Sequence, residues 1–421
     1  MSSFVTDAYA RYAYDIVKRI CTEVGPGLSG TPQERARAKI LQEEMESHLG
    51  ADNVTMEEFT AAPNGLLGWF PAAAVFIALS ALLNVSIGRL GPVSPWITAV
   101  LSVALAAVTA LVSVFQFALY YRFLEPVLAK KQSVNVIGTL RKPGAKNVKR
   151  LLIIGGHHDS AMEMTWLRFL GYGYYVVVAT IVIGLAAMLI FSGIQLGGLI
   201  ASSPRIVRAG TLGYATLAYP LIPWIIFTAF FNRGGKGGGT VPGAADNLSG
   251  SALAVSMCSF LADNPSCIPD DTEIRFISFG SEEAGLRGSM SYVERHLDEL
   301  KRLDARLLNI ETVAYPEIII LTSDINGTVR NSPDMVREVA AAAGRAGVPH
   351  KVKPFPFGGG GTDAGSFSRA GLMAATIVPF KVPQQMVAFY HQKWDVPEVL
   401  TMEPLLNVLK LAEEWIRAEQ K

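Results

Sequence analysis

The sequence is short of charge and of cysteine. Of its 421 residues only 17% are charged, against roughly a quarter in ordinary soluble domains. No Lys/Arg-rich run is present and the formal net charge is +1, so the basic footprint of a nucleic-acid partner is missing. Cys21, Cys258 and Cys267 have no paired spacing. They read neither as a disulfide framework nor as a zinc knuckle, and they fit a reducing compartment. The opening MSSFVTDAYARYAYDIVKRI lacks an apolar core behind a basic start. It is therefore expected to be an amphipathic helix and not a secretory signal peptide.

The charge deficit is local. Residues 66–87 and 93–121 carry no charge and are divided by GRLGPVSP, and residues 169–204 and 209–232 carry none and are divided by PRIVR. A bilayer core needs about 20 apolar residues per helix. The expectation is about four transmembrane helices in two hairpins, residues 65–121 and 169–232. Trp69, Trp96, Tyr120 and Tyr121 fall near the ends of the first pair, where aromatic belts sit. Pro220 and Pro223 predict a kinked or broken last span. The spans hold no buried charge of the kind that marks an ion pathway, which argues against a transporter. The stretch NRGGKGGGTVPG, 232–243, reads as a flexible connector.

Elsewhere helical and strand patterns alternate, which predicts an α/β fold. Thr31 and Pro32 open a helix over 29–50, and a strand follows over 54–59. VNVIGTL, RLLIIGG, EIRFISFG, LLNIETV, EIIILTS and MAATIVPF read as strands, and residues 403–420 as a closing amphipathic helix.

Chemistry-bearing residues gather at strand ends. GGHHDS, 155–160, ends the run LLII. In a strand, residues two apart share a side, so His157 and Asp159 point together and His158 points away. A carboxylate beside an imidazole is the usual support of a metal-bound histidine, and it is equally an ordinary satisfied histidine with a capping aspartate. Asp246, in PGAADNLSGSALAVSM, precedes a helix and reads as a ligand or as its N-cap. Glu282 and Glu283 stand together just after EIRFISFG, where two carboxylates repel unless a cation lies beside them. Glu311 ends another strand, and His391 follows Tyr390 in FYHQKWD. Imidazole with carboxylate suits zinc, with manganese or cobalt as substitutes. Two ions account for the set: His157 and Glu311 on one, Glu283 and His391 on the other, Asp246 between.

With these residues in view, the sequence resembles the co-catalytic di-zinc exopeptidases, the family of bacterial zinc aminopeptidases and glutamate carboxypeptidase. The matching motifs are H-x-D in GGHHDS, D-N-x-S-G in AADNLSGSA, E-E-x-G-x-x-G-S in SEEAGLRGS, N-x-[DE] in LNIET, and Y-H with an aspartate four residues on in YHQKWD. The resemblance covers roughly 1–60, 132–165 and 240–421 and leaves out both apolar blocks. It implies a three-layer αβα sandwich with a central mixed, mostly parallel sheet. The zinc peptidase domain would comprise 1–64, 122–168 and 233–421. It implies His157, Asp246, Glu283, Glu311 and His391 as ligands of two zinc ions, Asp159 as the group orienting His157, Glu282 as general base, and a cis peptide after Asp246. The family usually has aspartate where this chain has Glu311. GGGGTDAGSFSRAG, 358–371, matches the family's loop near the substrate pocket. Asp363 there reads as a partner for a substrate amine or as a turn aspartate, and Tyr390 is a second pocket candidate. The implied activity is exopeptidase cleavage, in the first place of N-terminal residues, from a peptide that is hydrophobic or membrane-derived. The alternatives are a carboxypeptidase, a glutaminyl-cyclase-like enzyme, or a non-catalytic receptor-like relative. Oligomeric state is left open. With an even number of spans, Arg122, Lys130, Lys131, Arg168, Arg233 and Lys236 share the catalytic side, against Arg89, Arg205 and Arg208 opposite. That bias predicts an integral, multi-pass protein with a cytoplasmic catalytic domain.

Overall fold

The computed structural model describes residues 4–89, 93–145, 147–231, 239–356 and 358–418. Arg233, Lys236 and most of the glycine-rich connector lie outside them, as does part of GRLGPVSP. The chain forms two compact units. One comprises Met1–Pro63, Val127–Glu163 and Thr240–Lys421, the other Asn64–Pro126 and Met164–Gly239.

The first unit is built on an eight-stranded sheet. In chain order its strands are β1 (Val54–Ala61), β2 (Lys131–Arg141), β3 (Arg150–His157), β4 (Thr272–Phe279), β5 (Arg306–Ile310), β6 (Ile318–Leu321), β7 (His350–Lys353) and β8 (Met373–Val378). Across the sheet the order is β1-β2-β4-β3-β5-β8-β6-β7. The central four, β4, β3, β5 and β8, run parallel, and β2 and β6 flank them antiparallel. The central strands are apolar on both sides because both faces are covered. Leu152, Ile154, Ile274 and Phe276 face a core shared with helices Asp7–Glu23, Pro32–Leu49, Ser249–Asp263, Pro333–Arg345 and Met402–Ala418. Leu151, Ile153, Ile277 and Phe279 face helices Arg287–Arg302 and Asp363–Arg369. The result is the expected three-layer sandwich. β7, exposed from Lys351 to Lys353, escapes the sequence reading because HKVK lacks an apolar face.

The second unit is made of apolar helices. Pro95–Ala118, Thr165–Ile200 and Pro204–Phe227 are long and apolar enough to cross a membrane. Phe70–Val85 has only 16 residues, about 24 Å at 1.5 Å per residue. It starts late because turns occupy residues 63–69, where Pro63, Gly65 and Gly68 fall. PRIVR is not a connecting loop. Pro204 sits in the first turn of the helix Pro204–Gly213, where its missing N–H costs nothing. Past Gly213 the backbone takes π and then 3-10 geometry over Tyr214–Leu221 before α-helix resumes at Ile222. The prolines at 220 and 223 thus break regular geometry as expected. Buried hydroxyls of Ser80, Ser102 and Ser192 join three of these helices, at 3.2 Å and 3.3 Å.

Phe276 is fully buried in the centre of β4. Phe276→Ala is expected to lower stability by about 3–5 kcal/mol, the usual cost of truncating a core aromatic. Unfolding of the detergent-solubilised chain checks this, and a loss under 1 kcal/mol would contradict the assigned core.

Candidate metal centre

The parallel register decides which side chains meet. His157 is the last residue of β3 and pairs with Phe279, the last of β4. Glu282 and Glu283 follow three and four residues later. Gly155 pairs with Asn309 on β5, so Glu311 lies just past that strand's end. The next strand, β8, leads through the loop after Val378 to His391. All emerge at the carboxyl edge of the sheet, where open α/β folds bind ligands. Asp246 comes from the turn that enters helix Ser249–Asp263, which crosses behind β3. That crossing is tight: a Cβ on Gly250 would lie 2.5 Å from the Ile310 carbonyl.

The side chains converge on Asp246. Its Oδ1 is 3.4 Å from His157 Nε2, and its Oδ2 is 2.9 Å from His391 Nε2. Glu311 Oε1 lies 3.4 Å from His157 Nε2, and Glu283 Oε1 lies 3.3 Å from His391 Nε2. Two ligand-like groups result, His157–Asp246–Glu311 and Asp246–Glu283–His391, each with donor atoms within 4.8 Å of one another. Glu282 Oε2 is 3.6 Å from His157 Nε2 and belongs with a third such group, His157–Glu282–Glu283. Among the described residues, the buried atoms Glu283 Oε1 and Glu311 Oε2 accept no hydrogen bond. Lone pairs left bare at this point, beside imidazole nitrogens, are what a metal centre needs. The donor set suits zinc.

Local structure aims each group. His157 Nδ1 is 3.3 Å from Asp159 Oδ1, while His158 turns away to the Ser278 hydroxyl at 2.8 Å. Asp159 has a second task, since its two oxygens accept the N–H groups of Glu282 and Glu283 at 3.0 and 3.1 Å. Asp246 caps no helix: the following helix has no side-chain cap, and the Asp246–Asn247 peptide is cis. Asn247 ties this turn to β5, donating to the Ile310 carbonyl at 2.8 Å and accepting from Thr312 N–H at 3.2 Å. Tyr390 stacks on the His391 ring, centroids 4.1 Å apart. Asp363 is fully buried at the start of its helix, and neither oxygen has a hydrogen-bond partner among the described residues.

Three supporting residues were missed. Asp395 accepts Ala245 N–H and Asp246 N–H at 2.7 and 3.1 Å; its spacing after His391 was visible, its task was not. Arg37, wholly buried, donates to the carbonyls of Gly25, His158 and Pro242. Glu34, one turn earlier, grips the loop before Glu282. On a helix, Glu and Arg three apart look like a surface ion pair, so no sequence signal separates them from one.

The electrostatics follow from burial. Desolvation pushes Glu311 and Asp395 up to about 8 and Asp363 to about 7. It also raises Glu282 well above the usual range, with Glu283 adding to the shift. Burial would pull His391 down, but Glu283 and Asp246 hold it at about 10.

Residues 225–416 match the model described as Peptidase family M28. Over those residues the chain is similar to peptidase family M28. A curated relative, aminopeptidase YwaD of Bacillus subtilis, is 35% identical over 112 residues, 26% of this chain and 20% of that protein. The matched region thus spans about a fifth of that relative's length. Among solved structures, the zinc aminopeptidase BSAP from Bacillus subtilis aligns with a TM-score of 0.53 at 17% identity, covering 97% of this chain and 95% of that one. The aminopeptidase from Aneurinibacillus sp. strain AM-1 gives 0.53 at 17% (98% and 95% covered). Fimbriiglobus ruber glutaminyl cyclase gives 0.54 at 14% (99% and 97%). At these identities the structural likeness shows the fold alone.

The raised carboxyls make a prediction for chelator-treated protein. Unfolded carboxyls titrate near 4, so between about pH 5 and 7 the folded chain holds protons that the unfolded chain has lost. Stability must fall as pH rises through that window. His391 extends the trend upward, and Asp246, held low by its two imidazoles, acts only below it. Melting temperatures of the metal-free chain should therefore drop from pH 5 to 8, while the gain on adding zinc grows, because ligands bind deprotonated. A metal-free melting temperature that climbs over this range contradicts the buried cluster.

Proposed function

We propose that the chain is a membrane-integral zinc exopeptidase, in its main reading an aminopeptidase. The observation that carries this is Asp246, which presents one oxygen to His157 and the other to His391, with Glu311 and Glu283 completing the two groups. His157, Asp246, Glu283, Glu311 and His391 would hold two zinc ions, with manganese or cobalt as substitutes. Glu311 in place of the family's aspartate still brings Oε1 to 3.4 Å of His157 Nε2. When bound, the zinc pair supplies Lewis acidity to a scissile carbonyl and brings the pKa of water toward about 7.

The chain's own residues do the rest. Asp159 fixes the orientation of His157. Glu282, 8% exposed, takes the proton of the attacking water on its carboxylate and returns it to the departing amine. Tyr390 braces His391. Asp363, buried and without a hydrogen bond among the described residues, is the residue that would receive the substrate's α-ammonium, whose charge would offset its own.

The domain reading assigns the sheet-bearing unit to the peptidase and residues 65–121 and 169–232 to two transmembrane hairpins. The three long apolar helices support membrane placement; the fourth, shorter one would complete an even number of passes. The cation bias across the loops favours a cytoplasmic catalytic domain. The substrate class would be peptides that are hydrophobic or membrane-derived. An N-terminal tag should stay protected from protease added to intact cells, and cleavage there would reverse the orientation.

Glu282→Gln is expected to keep full zinc content and to lower turnover of aminoacyl arylamides by about 10²–10⁴-fold. Metal analysis beside steady-state kinetics tests both halves. A Gln variant of undiminished rate would remove Glu282 from the mechanism, and zinc-loaded wild type that splits no peptide or arylamide would end the exopeptidase reading.

A further inference from the structure

The loop that carries Glu282 and Glu283 is held by its backbone. Four consecutive N–H groups each go to a side chain: Gly280 to Asn135 Oδ1 at 3.1 Å, Ser281 to Glu34 Oε1 at 2.9 Å, and Glu282 and Glu283 to the two oxygens of Asp159. The carbonyls of Ser281 and Glu282 accept turn bonds from residues 285–287, and these four acceptors fix the N–H side of the same segment and with it the direction of the two carboxylates.

We propose that Glu34 is a positioning residue for Glu282, acting through the backbone at Ser281; this rests on the reading of Glu282 as the proton carrier. Glu34 lies in the first turn of helix Pro32–Leu49, far along the chain from the residues matched to the family. Its carboxylate is buried and fully engaged. Oε1 accepts Ser281 N–H, the Ser281 hydroxyl at 3.0 Å and the Ser133 hydroxyl at 2.7 Å, while Oε2 accepts Gly30 N–H at 2.6 Å. Ser29 completes the grip, its hydroxyl 2.5 Å from that of Ser281.

Ser281 needs such a grip. It sits at φ 53°, the left-handed region that a residue with a Cβ adopts only under constraint from its surroundings. Relaxation to an ordinary conformation would swing the next two residues, and with them Glu282 and Glu283. Glu34 and Asp159 hold the loop from different elements, the helix and the end of β3. Asp159 also touches His157 and cannot be altered without disturbing it. Glu34 contacts none of the ligand side chains in the hydrogen bonds it makes, so its removal isolates loop position from ligation. Arg37, one turn on, ties the same helix to the carbonyls of His158 and Pro242, which keeps the helix in register with the site.

The test uses the full-length chain in detergent with saturating zinc and a leucine arylamide as probe. Glu34→Ala should lower kcat about 10–100-fold, the scale of a misplacement near 1 Å, with KM within about twofold. Glu34→Gln, which keeps an oxygen for Ser281, should recover at least fivefold of that loss. Lys39→Ala, exposed on the same helix, should leave kcat within about twofold. Hydrogen exchange gives a readout independent of catalysis: amides of 281–283 should lose at least tenfold protection in Glu34→Ala while those of β4 keep theirs. The proposal is overturned if exchange at 281–283 is unchanged, if kcat falls only in step with the folded fraction, or if the Gln variant restores nothing. Should the wild type prove inert toward the probe, the exchange result alone decides the clamp, and the exopeptidase reading fails separately.

Discussion

Six carboxyl groups, five of them buried (Asp159, Asp246, Glu282, Glu311 and Asp363) and Glu283 partly so, gather near the imidazoles of His157 and His391. Burying one carboxylate costs several kcal/mol unless it is paired, and several together repel one another as well. The chain meets the cost in two ways. Imidazoles face Asp246, Glu311 and Glu283. Backbone N–H groups satisfy Asp159. Two oxygens, Glu283 Oε1 and Glu311 Oε2, still accept no hydrogen bond among the described residues, although His391 Nε2 lies 3.3 Å from the first. That residue of negative charge is a liability in an empty core and an asset beside a divalent cation, and it is the constraint from which the surrounding architecture takes its sense.

Repulsion at this density would splay the loops apart if they were free. They are not free, because each is bound by a buried polar group on a different element. Asp395 holds the turn before Asp246, Asn247 ties that turn to β5, Arg37 holds the His158 carbonyl, and Glu34 holds Ser281. Such braces are worth more inside a low-dielectric interior than at a surface. They convert a set of flexible strand-end loops into a fixed constellation. Arg37 shows how far this goes: a guanidinium with no carboxylate partner in its hydrogen bonds, spent wholly on carbonyls, with burial drawing its pKa down to about 10.

What could be read from the sequence divides along the same line. His157, Asp246, Glu282, Glu283, Glu311 and His391 stand out because polar residues at the ends of apolar runs conflict with their local surroundings, and that conflict is the signature of a site. The central strands were legible for the converse reason, since burial on both faces leaves continuous apolar runs. Glu34 and Arg37 produce no such conflict. In the one-dimensional pattern they belong to an exposed helix face, and only tertiary packing turns that face inward. β7 and the late start of Phe70–Val85 were missed because short exposed strands and turns of glycine and proline carry little periodicity.

The two long apolar excursions of the chain bear on how the site can coexist with them. Within the sheet-bearing unit, each excursion departs and returns at backbone that is already paired. Ala61 pairs with Lys131 at the end of the β1–β2 ladder, and Met162 pairs with Thr240 in an isolated bridge, reinforced by Val241 N–H donating to Ala161 O. Ser160 adds a reciprocal tie to Gly27, N–H to carbonyl at 2.9 Å and N–H to hydroxyl at 3.0 Å. The chain thus closes its own frame a few residues before each excursion begins. Every brace named here joins residues of that frame, so the geometry of the carboxylate cluster is fixed by contacts inside it. Residues 164–239 lie between His157 and Asp246 in sequence, and the pairing of Met162 with Thr240 brings the frame together on either side of them.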